Sequence, residues 1–310
     1  MAHHYGELAS FTAALRGEPD AAPVLYLHGM AGTGKTTLLH RFADEARRTG
    51  RAAVRVSGAC LRPSRRDFAR AVRHAADVPD AVLLVDDVDR AAGLETWLRE
   101  GFLPGVSHRA VTVLAGRRAP HPMWTADPGW ASCARVRRLG RATREEAHRI
   151  MDAHAVPPAP RPRVLAFCAG NVLALHLASA DAARGPVDWR PSAGVTAALL
   201  ARFVGTSPSA RCLTALRMCA LAGTVTEDLL RTELGPHAAE MFRRLRERSF
   251  TSREPAGLAI DPVVAHVVVE EALRHDRDGF LALHARLDAH LRHRPFWGAE
   301  SRGVVPERLR

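Results

Sequence analysis

Apolar residues follow two rhythms along this chain. In its first half, compact apolar runs ("PVLYLH", "AAVRVSG", "AVLLVDD", "AVTVLAG") alternate with stretches in which apolar positions recur every three or four residues, such as "TTLLHRFADEARR" and "LETWLREGFL". The runs have the length and β-branched content of buried strands, and the spaced patterns are those of amphipathic helices. Strand–helix alternation of this kind predicts a parallel sheet between helical layers. "CARVRRL" supplies a further strand, "SRRDFARAVRHAA" a further helix, and "YGELASFTAALRG" a short amphipathic helix ahead of the first strand.

From about Thr143 only the helical rhythm persists. "TREEAHRIMDAHA", "RPRVLAFCAG" and "VLALHLASADAA" predict an all-α lid punctuated by "VPPAPRP", and "ARGPVDWRPSAG" predicts a linker. Three helices then follow ("SARCLTALRMCALAG", "TVTEDLLRTEL", "PHAAEMFRRLRERS"), and after them a short pair, "FTSRE" and "GLAID", around Pro255 and Gly257. That order is the outline of a winged helix-turn-helix. Two more helices precede a tail. The expected division is an α/β core over 1–141, a helical lid over 142–185, a winged-helix domain with C-terminal helices over 186–294, and a tail over 295–310.

Composition narrows the class. A chain of 310 residues, 47% hydrophobic and 25% charged, can bury a sizeable core and more than one domain. Its apolar runs fall short of the ~20 residues a membrane span needs, and "MAHHYGELAS" lacks the pattern of a signal peptide, so a cytoplasmic location with no membrane partner is expected. Five cysteines without a C-x-x-C argue against both a disulfide framework and a zinc site. Cys212 and Cys219 share a helix face with Leu216 and are expected to be buried thiols. His284, His290 and His293 are expected to lie on a solvated helix face. The net charge of +11 would favour polyanions, but the basic residues are spread along the whole chain.

Only one of those basic residues is a lysine. It stands at position 35 in "HGMAGTGKTT", where Gly29, Gly34, Lys35 and Thr36 fit G-x-x-x-x-G-K-[ST] between an apolar strand and a helix, the context that a P-loop requires. In such a loop the backbone N–H groups of Gly29, Met30, Ala31, Gly32, Thr33, Gly34, Lys35, Thr36 and Thr37 can cradle phosphates. The helix N-terminus adds a favourable dipole, Lys35 reaches the β and γ phosphates, and Thr36 ligates Mg²⁺. A compact ammonium can thread this loop where a planar guanidinium fork cannot.

"AVLLVDDVDR" complements the loop. Asp86 ends a buried strand at the sheet edge where ligands of parallel sheets bind, and is placed to hold Mg²⁺ through water, as a Walker B aspartate does. Asp87 or Asp89 would then position the attacking water, with Asp87 preferred. "AVTVLAGRR" brings Arg117 and Arg118 to the same edge, where Arg117 can touch the γ-phosphate. The loop "APHPMWTADPGW" carries Trp124 and Trp130, expected to pack.

Taken together, the P-loop, "VLLVDD", "AGRR", "CAGNVLALHL" and the winged-helix outline resemble the STAND branch of AAA+-related P-loop ATPases, similar to the NB-ARC module and to ATPase domains of large bacterial transcriptional regulators. The resemblance spans roughly residues 5 to 290. It implies a sensor arginine at Arg117 and a lid motif packing over adenine, matched by Gly170, Asn171, Leu173, Ala174 and Leu175, with Val172 in place of the family's proline. It also implies a triplet at the winged helix whose histidine contacts the ADP β-phosphate: Asp261 matches the triplet's aspartate and is counted among the nucleotide-binding residues, while Ile260 replaces the histidine.

The function expected from these readings is an ATP-binding, slowly hydrolysing signalling switch, with catalytic residues Lys35, Asp86, Asp87 and Arg117, nucleotide contacts extending to Val172, Leu173 and Asp261, and ATP or ADP with Mg²⁺ as ligands. A protein partner or self-association is expected, and DNA is a possible partner. The alternative is a DNA-binding protein of the AAA+ replication-initiator type, its winged helix touching DNA through Arg243, Arg244, Arg246 and Arg248. A scaffold that binds nucleotide without cleaving it is a third reading.

Overall fold

The computed structural model describes residues 4–58, 68, 70, 72, 78, 80–90, 93–107 and 109–292. Cys60, His293, the tail over 295–310 and most of the expected helix "SRRDFARAVRHAA" lie outside these residues. The chain folds as two compact units, residues 1–140 and 141–310.

The first unit is built on five parallel strands: β1 (Val24–His28), β2 (Ala53–Ser57), β3 (Val82–Asp86), β4 (Val111–Gly116) and β5 (Ala134–Arg138). Their order in the sheet is β2-β3-β4-β1-β5, so β4 lies between the strand that leads into the P-loop and the strand that ends in Asp86. The register aligns Ser57 with Asp86, and His28 with both Gly116 and Arg138, which gathers the C-terminal ends of all five strands at one edge.

Alternation along each strand divides the core. Leu25, Leu27, Leu84, Val113 and Ala115 face a layer containing Phe11 and Leu15 of helix α1 (Tyr5–Arg16) and Leu38, Leu39 and Phe42 of helix α2 (Lys35–Arg48). Val24, Tyr26, Leu83, Val85 and Leu114 face Phe68, Val72, Leu98 and Trp124 on the other side. Helix α2 buries positions 35, 38, 39, 42, 43 and 46, a single stripe of helical period.

The stretch "APHPMWTADPGW", expected as a loop, contains two short helices, Met123–Ala126 and Pro128–Cys133. Asp127 caps the second by accepting from the Trp130 amide, with Pro128 at the first helical position. Trp124 is fully buried and packs on Tyr26 and Trp130, as expected.

In the second unit, helices span Arg144–Ala153, Arg161–Cys168, Val172–Ala182, Ala193–Phe203, Ala210–Ala222, Glu227–Leu234, Ala238–Arg246, Pro262–His275 and Arg277–Arg292. Strands β6 (Thr224–Val225), β7 (Thr251–Glu254) and β8 (Gly257–Ile260) form an antiparallel sheet with β8 in the centre. The helix Pro262–His275 is the core of this unit, burying Val263, Val264, Ala265, Val267, Val268, Val269 and Ala272, on more than one face.

Three sequence expectations are corrected here. "ARGPVDWRPSAG" is packed and does not hang free: Trp189 is buried with its indole N–H on Asp181, and Arg274 donates to the Pro191 carbonyl. It leads into the helix Ala193–Phe203, which the sequence reading omitted and which Ser192 caps by accepting from the Val195 amide. Thr224 and Val225, read as helical, form β6 instead. Among the described residues no helix is long and apolar enough to cross a membrane.

Candidate active site

The site begins where β1 turns into α2. Gly29 lies so close to Leu139 that a Cβ on it would come within 2.6 Å of the Leu139 carbonyl oxygen, so only glycine fits. The chain then curls through Met30–Thr33, and the Thr33 hydroxyl donates to the Met30 carbonyl at 3.0 Å. Gly34, with φ 92°, opens the helix and places Lys35 in its first turn.

Lys35 is 7% exposed. Its Nζ donates to the Gly29 carbonyl and to the Met30 carbonyl at 2.9 Å, with the Thr33 hydroxyl 3.5 Å away. Burial lowers its pKa to about 8, and the Arg117 charge adds to the effect, while Asp86, Asp89 and Asp87 act the other way. His28, at the end of β1, is likewise depressed by burial, then by Arg138 and Lys35.

The two halves of the signature meet in space. Thr36 Oγ1 donates to Asp86 Oδ2 at 2.7 Å, bringing the first turn of α2 to the end of β3. Asp86 Oδ1 accepts from the Asp87 amide at 2.9 Å, which orients the carboxylate toward the loop. A hydroxyl and a carboxylate at this separation are hard oxygen donors of the kind Mg²⁺ takes, so the residues present fit that ion together with nucleotide phosphates.

Asp87 has a left-handed backbone, φ 49°, a conformation aspartate tolerates better than most residues. Its carboxylate faces Arg117, Nε to Oδ1 at 4.0 Å. Asp89 is held differently. Its Oδ1 accepts from the Arg117 amide at 3.2 Å, its Oδ2 lies 3.8 Å from Arg118 Nε, and its side chain is 12% exposed. Asp89 thus closes the end of β4, whereas Asp87 lies beside Arg117.

Lys35, Thr36, Asp86, Asp87 and Arg117 therefore share one edge of the first unit. Val172, Leu173 and Asp261 belong to the second. There, Asn171 caps the helix Val172–Ala182 by accepting from the Ala174 amide at 3.1 Å. Asp261 caps the helix Pro262–His275 by accepting from the Val263 amide at 3.1 Å, and its other oxygen pairs with Arg141 at 3.0 Å. Ile260 is a buried residue of β8. Sequence reasoning missed His4, whose ring lies against Thr33; no motif contains it, and its only signal is its place just ahead of an amphipathic helix.

Comparison with known proteins agrees with this geometry. Residues 25–116 match the family model of the ATPase family associated with various cellular activities (AAA). No curated protein matches the chain in sequence. Among solved structures, a proline-to-glycine mutant of Thermotoga maritima RuvB is similar at 19% identity and a TM-score of 0.50, over 87% of this chain and 92% of that one. The Thermotoga maritima RuvB Holliday junction branch migration motor gives 19% identity and a TM-score of 0.47 over the same shares. A structure of katanin solved for its self-assembly gives 15% and 0.42, over 67% of this chain and 78% of that one. At such identities the RuvB likeness speaks to the fold alone, and the match over residues 25–116 supports an ATPase.

Proposed function

We propose that the chain is a regulatory ATPase switch of the STAND type, in which nucleotide state sets the arrangement of its parts. The observation that carries this reading is the pairing of Asp87 with Arg117 across 4.0 Å. Asp87 is the acid placed to orient and deprotonate an attacking water, and Arg117 is the cation placed to meet a γ-phosphate. With ADP the two neutralise each other. A γ-phosphate competes for Arg117 and releases Asp87 toward the water, so the same pair senses the ligand and permits its cleavage.

Lys35, Thr36 and Asp86 hold the triphosphate and Mg²⁺ in this reading. The ion, when bound, offsets phosphate charge during transfer. Lys35 supplies a buried point charge, and the amides of residues 29–37 supply directed dipoles that need no reorganisation.

The second unit contributes the regulatory parts: a lid over 142–185 and a winged helix over 186–294. Beside Gly170 lies a cavity of about 420 Å³ lined by Ala142, Thr143, Ala147, Leu165 and Gly170 among others. In this reading Val172 and Leu173, which open the helix that Asn171 caps, contact the base. Ile260 is unable to donate a hydrogen bond to phosphate, so Asp261 acts by tying its helix start to Arg141.

Small-angle scattering of the full chain with ADP and with a non-hydrolysable ATP analogue tests the switch. Two distinct profiles are expected for the wild type, and one shared profile for Arg117→Ala. Identical wild-type profiles would refute it while leaving the ATPase assignment intact.

A further inference from the structure

The phosphate loop is braced by a residue that its motif does not contain. His4 directly precedes α1, and its side chain is 8% exposed. Its Nε2 lies 2.8 Å from the carbonyl oxygen of Thr33. A carbonyl can only accept, so Nε2 carries the proton and donates. The other ring nitrogen faces the Glu7 carboxylate, Nδ1 to Oε2 at 3.6 Å, a contact that attracts only when the ring carries both protons. The backbone of His4 is left-handed, φ 72°, an unusual state for a residue other than glycine.

The brace is anchored in the core. Helix α1 begins with the Leu8 amide bonding the His4 carbonyl at 3.2 Å, and one turn further Phe11 stacks on Phe42 of α2 with ring centroids 4.1 Å apart. The ring of His4 lies directly over residue 34: a Cβ on Gly34 would stand 3.4 Å from Nε2.

The peptide joining Thr33 and Gly34 is planar and trans, so its C=O and N–H point in opposite directions. Fixing the Thr33 carbonyl on His4 therefore fixes the Gly34 amide on the side away from α1. That amide stands at the N-terminus of α2, among the donors a P-loop offers to phosphate. We propose that His4 is a positioning residue of the nucleotide site, which holds the Thr33 carbonyl and so keeps the Gly34 N–H aimed at the phosphates before the ligand arrives. The inference rests on the P-loop reading of residues 29–37. Preorganised donors bind more tightly because less order is lost on binding.

The test compares wild type, His4→Ala, His4→Leu and His4→Gln in the full chain, measuring ADP and ATP dissociation constants by calorimetry and hydrogen exchange of the Gly34 amide without nucleotide. His4→Ala and His4→Leu are expected to weaken both nucleotides by about two- to tenfold, the worth of one ordinary hydrogen bond. His4→Gln, whose amide can donate to the same carbonyl, is expected to bind within about twofold of wild type. Gly34 exchange should quicken in the first two variants and not in the third. Leucine retains side-chain bulk without a donor, so it carries the test should the alanine variant fail to fold. Wild-type affinity in His4→Leu, or a glutamine variant as weak as the leucine one, overturns the proposal. A wild type that binds no nucleotide overturns the site as a whole, and this inference with it.

Discussion

At the scale of single residues, Lys35 concentrates most of the site's chemistry. Its ammonium is 7% exposed and threaded between two carbonyls of its own loop. Lys35→Ala is expected to weaken nucleotide binding by at least about a hundredfold, in keeping with loss of a buried charge-assisted contact to phosphate. Lys35→Arg should fare little better because the fork does not fit the loop. Calorimetric titration with ADP checks both. The pKa near 8 adds a pH dependence. Phosphate oxyanions favour the charged lysine, so its pKa rises on binding. Below about 8 both states hold the proton and affinity is flat. Above it the free protein has lost the proton and binding must take one up, so affinity falls by up to about tenfold per pH unit. Proton uptake at pH 9 but not at pH 7, read from binding heats in buffers of different ionisation enthalpy, is the expected signature.

The neighbouring aspartates separate by their contacts. Asp87→Asn is expected to keep ADP affinity and slow single-turnover hydrolysis by roughly 10²–10⁴, the usual weight of a general base. Asp89→Ala should instead lower stability by about 1–3 kcal/mol, because the Arg117 amide loses its acceptor. Denaturant titration beside a single-turnover assay distinguishes the two, and hydrolysis lost only in the Asp89 variant would reverse the assignment. The sequence placed both acids after a buried strand but left their order open, since what separates them is a contact with the β4 end 28 residues away.

Elements were legible where one period dominated. The sheet strands and α2 follow from alternation and from the stripe that begins at Lys35. The helix Ala193–Phe203 was missed because "AGVTAALLARF" carries little polar contrast and sits behind a proline-rich stretch. A two-residue strand such as β6 is shorter than any periodic signal, and β8 pairs with it only through the tertiary fold. Two glycines give the element scale its test. Gly170 has φ 78°, and a Cβ there would meet the Arg141 Cβ at 2.9 Å and the Ala142 carbonyl at 3.1 Å. Gly170→Ala is therefore expected to destabilise the second unit by more than about 1 kcal/mol. A Cβ on Gly194, in the first turn of a helix, would meet only the Ser192 hydroxyl at 3.9 Å, so Gly194→Ala should be neutral or stabilising by up to about 1 kcal/mol. Chemical denaturation of both variants checks the opposite signs.

At the scale of the whole molecule, net charge does not tell how charge is distributed locally. Arg243 and Arg244, candidates for phosphate contact, are paired with Glu247 and Glu240 of their own segment, and Arg231 with Glu227 and Asp228. Local pairing of this kind is invisible in the total of +11. The division into two compact units, by contrast, supports a thermodynamic test of the switch. A ligand held at 100 times its dissociation constant stabilises what it binds by about 2.7 kcal/mol. If nucleotide touched the first unit alone, only the unfolding transition of that unit would rise. The switch reading requires the second unit to feel the ligand as well, through Val172, Leu173 or Asp261, with a coupling of roughly 1–3 kcal/mol. Scanning calorimetry of the full chain with ADP is expected to raise the transitions of both units, and Lys35→Ala to abolish both shifts. Gly170→Ala, in the second unit, should reduce the ADP effect on the first, because coupling is reciprocal. A rise confined to the first transition, unaltered by Gly170→Ala, would leave an ATPase whose nucleotide state is not communicated, and the proposed switch would be refuted.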